Sequence, residues 1–165
     1  MADQIPLERL QPCLLDRLTD DEPTRTEESR AQRVISHQKY RRGVLRDLQW
    51  LLGSEGFPHI PGIPFQLQDY PAALRSVINF GTRQLCGLTA PDMARLQEEL
   101  SEAIRVFEPR ITPQNMTIHA SLERNSVTFE VEGELWAHPM PEHLHVTTTV
   151  DLESGQSLLG DAPHG

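Results

Sequence analysis

The apolar residues of this 165-residue chain keep two different periods, and the change from one to the other falls at a single proline, Pro109. Before it, Met93, Leu96, Leu100, Ile104 and Phe107 recur every three or four positions, the stripe of an amphipathic helix. Thr89 is expected to cap that helix and Asp92 to lie in its first turn. After Pro109 the apolar residues alternate, the mark of strands with one buried face: Ile118, Ala120 and Leu122; Val127, Phe129, Val131 and Leu135; Leu144, Val146, Val150 and Leu152. Arg124-Asn125 reads as a hairpin turn. His138 to Glu142, which holds two prolines, reads as a broader connection. Helices first and strands last predict an α+β fold, a single small domain with helices packed on a mainly antiparallel β meander.

The first half carries weaker patterns. Val34, Ile35, Val44, Leu45, Leu48, Leu51 and Leu52 predict a helix from about Ser29 to Leu52, whose regular part starts as late as Tyr40, with Gly53 and Ser54-Glu55-Gly56 as its stop. Residues 57–71 hold Pro58, Pro61, Gly62, Pro64 and Pro71, a density that favours an extended loop. A short helix is expected from Pro71 to Phe80, with Leu74, Val77 and Ile78 facing inward and Gly81 closing it. Leu14, Leu15 and Leu18 make one amphipathic turn that docks either on a partner or on the chain's own domain. The resulting division is an N-terminal arm over 1–38, partly disordered; a domain over 39–152; and a flexible C-terminal tail over 153–165.

Charge and composition exclude several roles. The net charge is −9, and residues 108–165 hold nine acids against Arg110 and Arg124 alone. Nucleic-acid binding needs clustered cations, so that half is unsuited to it. The one basic cluster, Lys39, Arg41, Arg42 and Arg46, reads as a solvated helix face, with contact to an acidic partner as the alternative. Two distant cysteines, Cys13 and Cys86, suit a reducing compartment. No apolar run is long enough to span a bilayer or to form a signal peptide, so no membrane insertion and a cytoplasmic location are expected.

The corner at Phe107-Glu108-Pro109-Arg110-Ile111 is the candidate site. A carboxylate such as Glu108 in a last helical turn opposes the helix dipole, and Pro109 stiffens the backbone that presents it. On the residues alone, Glu108 and Arg110 either pair locally or offer fixed polar contacts to a partner, Glu108 to a cation and Arg110 to a carboxylate. Trp136 reads first as core, with an interface anchor as the alternative.

Several segments resemble the TssE family of type VI secretion baseplate subunits and the related lysozyme-like baseplate wedge proteins of contractile phage tails. They are Leu14-Leu15-Asp16-Arg17-Leu18, the run from Val44 to Leu52, the run from Ser76 to Gly81, Leu85 with Gly87-Leu88, the Glu108-Pro109-Arg110 corner, and the run from Val131 to Trp136. Gly53 stands where family members often carry Asn, which affects only the end of the first helix. The resemblance implies a structural subunit, not an enzyme and without a cofactor, that joins the baseplate proteins TssF and TssG, with TssK as a further candidate, and helps start polymerisation of the TssB and TssC sheath. It makes Glu108, Pro109 and Arg110 the partner-binding residues, so charge reversal there is expected to leave the isolated fold intact and abolish baseplate binding. A β meander also leaves edge strands open to a partner strand.

Two rival chemistries have a footing in the sequence. Glu130, Glu132 and Glu134 alternate on one strand, at a spacing of about 6.6 to 7 Å that overlaps the carboxylate separation of an inverting glycosidase. This is the alternative reading, a peptidoglycan-hydrolysing enzyme, though the row looks like a solvent face. His138, His143 and His145 suggest a metal but lack a convincing further ligand.

Overall fold

The computed structural model describes residues 13–19, 36–57, 66–82, 85, 91–136 and 141–161. Four strands form one antiparallel sheet in the order β1-β2-β3-β4: β1 (Thr117–Glu123), β2 (Ser126–Leu135), β3 (Glu142–Asp151) and β4 (Ser157–Asp161). Two long helices, α2 (His37–Gly53) and α4 (Met93–Phe107), pack with it around a single core; α1 (Leu14–Leu18) and α3 (Pro71–Leu74) are short. The fold is α+β, with helices beside an antiparallel meander.

The alternation of β2 and β3 explains the sheet. Val127, Phe129, Val131, Gly133 and Leu135 of β2, and Leu144, Val146, Thr148 and Val150 of β3, are all buried, while the residues that alternate with them are half-buried or exposed. Leu96, Leu100 and Ile104 of α4 and Val44, Leu48, Leu51 and Leu52 of α2 join that buried face in one core. Each such leucine or isoleucine contributes about 1.5–3 kcal/mol by leaving water. Arg124, with a φ of 52°, turns β1 into β2 as expected.

The helix starts differ from expectation. Asp92 is itself the cap of α4, its side chain accepting from Arg95 N at 3.2 Å, and Thr89 lies outside the described residues. Ser36 caps α2 by accepting from Lys39 N at 3.2 Å, so the helix begins at His37; Val34 and Ile35 lie outside the described residues. The expected helix over 71–80 breaks into α3 and a 3₁₀ turn at Val77–Asn79. Ser76 Oγ donates to Ala73 O at 2.8 Å, a local bond that competes with the helix. Val77 and Ile78 are 85% and 61% exposed instead of inward, and Phe80 makes the core contact, edge-on to Phe107 at 5.4 Å. Gly81 follows with a φ of 131°; a Cβ there would lie 2.4 Å from Ser54 O, so only glycine lets Thr82 bridge to Glu55.

The C-terminal segment expected as a flexible tail contains β4, so the sheet runs past residue 152 to Asp161. Asp151 makes the turn. Its Oδ1 accepts from Ser154 N at 2.7 Å, Ser154 Oγ at 2.9 Å and Glu153 N at 3.0 Å. Those bonds, led by the Ser154 backbone, hold the Asp151 carboxyl below its ordinary value. A depressed carboxyl stabilises the fold above its unfolded pKa and loses that contribution as pH falls through its folded value. The β3–β4 turn is therefore expected to loosen below about pH 4, seen as faster amide exchange at Ser154 and Leu158; exchange there that tracks the rest of the sheet would contradict this.

Candidate functional site

The site is built where α4 ends. Glu108 closes the helix, its N–H donating to Ile104 O at 2.8 Å, and Pro109 then turns the chain so that Ile111 bridges to Leu135 at the end of β2. Trp136 N donates to Arg110 O at 2.7 Å, and Tyr40 Oη of α2 donates to Trp136 O at 2.8 Å. Three elements, α2, α4 and β2, thus meet at one corner.

The charged side chains of the corner face each other. Glu108 is 2% exposed, and its carboxylate accepts from Arg110 Nε at 2.6 Å, from Arg110 Nη2 and from the Arg110 backbone N at 3.3 Å. Arg110 Nη2 also donates to Asp47 Oδ2 of α2 at 2.6 Å. The local pairing that the residues allowed is the one adopted, and the expectation that Glu108 stands ready for a partner's cation is corrected: its carboxylate is buried and already holds the forked guanidinium. Charge reversal at Glu108 or Arg110 would put like charges together inside the domain, so such a variant would not keep the isolated fold intact. Burial pulls the Arg110 guanidinium's pKa down, but its bonds to Glu108 and Asp47 outweigh this and hold it above the ordinary value.

The network extends beyond the corner. Asp47 Oδ1 accepts from Arg46 Nε at 2.9 Å and lies 2.8 Å from Arg46 Nη2. Arg46 Nη1 reaches Asp16 Oδ1 of α1 at 2.6 Å, and Cys13, a free thiol, donates from Sγ to Asp16 Oδ2 at 3.0 Å. Burial raises the Asp16 carboxyl, but the bonds from Cys13 and Arg46 outweigh it and leave the group below its usual value. Acid, guanidinium, acid, guanidinium, acid thus alternate from Asp16 through Arg46, Asp47 and Arg110 to Glu108. Gly43 makes room for it: a Cβ there would lie 3.2 Å from Asp16 Oδ2 and 3.9 Å from Arg110 Nη1.

The supposed basic face of α2 is therefore divided. Arg46 belongs to this chain, Arg41 donates to Glu142 Oε1 and to His143 O, each at 3.1 Å, and Arg42 is exposed. Of the two dockings expected for the α1 leucines, the one on the chain's own domain is not adopted by Leu14 and Leu18: the segment is fastened by Asp16, while these two stay 71% and 74% exposed. Around the corner, Pro109 is exposed and Trp136 is 67% exposed, so Trp136 is not core. Arg110 Nη1 makes no hydrogen bond to the described residues.

Among the described residues neither rival chemistry is assembled. Glu130 and Glu132 are exposed, and Glu134 accepts from Asn115 Nδ2 at 2.8 Å, so the row lies along the solvent side of β2 with no apolar enclosure to make one member an acid. The apolar pocket between α4 and the sheet, bounded by Leu96, Leu100, Phe129 and Val150, has Glu99 as its one carboxylate among the described residues. His143 and His145 share a face of β3, His138 lies outside the described residues, and among the described residues no group of three His, Cys, Asp or Glu is placed to hold a metal. Among them, too, no helix is long and apolar enough to cross a membrane.

Fold and corner together describe a small α+β domain in which charged side chains tie α1, α2 and the end of α4 together. The chain belongs to the family of the baseplate wedge protein gp25, whose model matches residues 38–140, from α2 through the corner to the end of β2. That family is one of structural baseplate proteins of contractile tails. A search of curated proteins and one of solved structures each found no match.

Proposed function

We propose that the chain is the TssE-type wedge subunit of a type VI secretion baseplate, a cytoplasmic structural protein without catalytic or cofactor chemistry. Membership of the wedge family carries the reading. The secretion-system branch is favoured by the Leu14–Leu18, Ser76–Gly81 and Val131–Trp136 segments, which resemble TssE in the order of the chain. Its partners are the baseplate proteins TssF and TssG, with TssK as a further candidate, and the sheath proteins TssB and TssC.

Within that role the three corner residues divide the work. Glu108 acts from inside by fixing the direction of Arg110. Pro109 and Arg110 meet the partner, Arg110 through the donors on Nη1, which suit a carboxylate or a carbonyl oxygen. Trp136 beside them supplies a large apolar anchor of the kind that dominates interfaces. The sheath contact is assigned to a sheet edge, β1 or β4, where unpaired backbone groups accept a strand from outside.

Co-expression tests this. The tagged chain is expected to retain TssF and TssG through purification, and a preparation that holds neither protein at low salt would refute the assignment.

A further inference from the structure

We infer that residues Cys13–Leu18 form a releasable strap whose docking is set by the Glu108–Arg110 corner, with Asp47 as the link between them. The inference concerns the isolated chain and does not depend on the baseplate reading.

Three observations carry it. First, α1 has little of its own to hold it. A helix of five residues is far shorter than the roughly 12 to 15 needed for marginal stability, and Leu14 and Leu18 turn outward, which leaves Leu15, 36% exposed, as its one leucine with a share in apolar burial. What fastens α1 is Asp16, whose side chain is 8% exposed and accepts from Arg46 and from Cys13. Second, Arg46 is shared. The guanidinium that holds Asp16 also holds Asp47, with Nη2 within 3.4 Å of Cys13 Sγ and the whole group 5.4 Å from the Trp50 ring. Third, Asp47 is shared in turn, one oxygen serving Arg46 and the other Arg110.

The direction of coupling follows from that sharing. While Arg110 engages Asp47 Oδ2, the carboxylate can offer Arg46 only Oδ1, and Arg46 Nη1 remains committed to Asp16. If Arg110 is removed or drawn away, Asp47 loses the bond that fixes Oδ2, its carboxylate is free to turn, and Arg46, anchored by Asp47 through Nε and Nη2, no longer holds Nη1 in one direction towards Asp16. That loss of direction loosens Cys13–Leu18. A contact made at the corner is thereby felt at a segment that carries two exposed leucines.

Alkylation of Cys13 by iodoacetamide, in a Cys86→Ser background, reads the release. Asp16→Asn is expected to raise the labelling rate about fivefold or more, the scale of coupling within one charged network. Arg110→Gln, which alters neither Cys13 nor Asp16, is expected to raise it at least about threefold. Asp16→Asn also removes the carboxylate beside Cys13 Sγ and so changes the thiol's reactivity directly; Arg110→Gln, which leaves that carboxylate in place, is the arm that reads opening. Asp16→Asn combined with Arg110→Gln should label no faster than Asp16→Asn alone, because the strap is already free. Leu96→Ala, a core change remote from the strap, separates release from general unfolding. Equal rates for Arg110→Gln and the background, independent multiplication of the two effects in the double variant, or equal acceleration by Leu96→Ala would each overturn the inference.

Discussion

Arg110→Ala is expected to destabilise the isolated protein by about 3–5 kcal/mol, because it strands a buried carboxylate. Glu108 is 2% exposed and draws its side-chain hydrogen bonds from Arg110, and Asp47 loses a 2.6 Å partner in the same change. Folded domains of this size hold only about 5–15 kcal/mol in total, so much of the margin would go. Urea unfolding measures it: the midpoint should fall sharply with little change in slope. The loss should exceed that of an ordinary surface arginine such as Arg95, whose pair with Glu99 is an exposed helix contact.

Trp136→Ala is expected to do the reverse, sparing the fold and weakening attachment. The ring is 67% exposed, so truncation removes little buried area, and the bonds at Trp136 that help build the corner come from its backbone N and O. A tryptophan beside an open guanidinium is the kind of residue whose removal costs an interface about 2 kcal/mol or more, roughly thirtyfold in affinity. Titration against the proposed TssF and TssG partner, with a parallel thermal melt, separates the two effects. An unchanged affinity would remove Trp136 from the interface; a large fall in melting temperature would show that the ring packs within the domain.

Most of the fold was legible because long amphipathic elements announce themselves. The α4 stripe and the alternation of β2 and β3 each repeat often enough to fix both element and face. β4 was missed because Ser157–Asp161 is short, with Leu159 as its one apolar position packed against the core, and it is paired through a turn built on the Asp151 side chain rather than on pattern. Val77 and Ile78 were placed inward on an assumed helical phase, which the break at Ser76 does not preserve.

The corner was legible as a place and misread in direction. Glu108 against the helix dipole was a correct sign that something unusual sits there, but a cost borne by an exposed carboxylate and one offset by a buried guanidinium look identical in sequence. The partners Asp47 and Asp16 lie 61 and 92 positions from Glu108, beyond the reach of local spacing. Gly43 was the available clue: a glycine inside a helical pattern often marks a close approach, and here the approach is that of Asp16 and Arg110.

The claim on which the account turns is that Glu108 and Arg110 serve each other inside the domain. A double-mutant cycle on the unfolding free energy of Glu108→Gln, Arg110→Met and the two combined measures that directly. Two strongly destabilised single variants are expected, with a double variant less damaged than their sum and an interaction energy of about 1–3 kcal/mol. Two single variants as stable as the parent, each deficient only in holding its partners, would contradict it and turn both side chains outward.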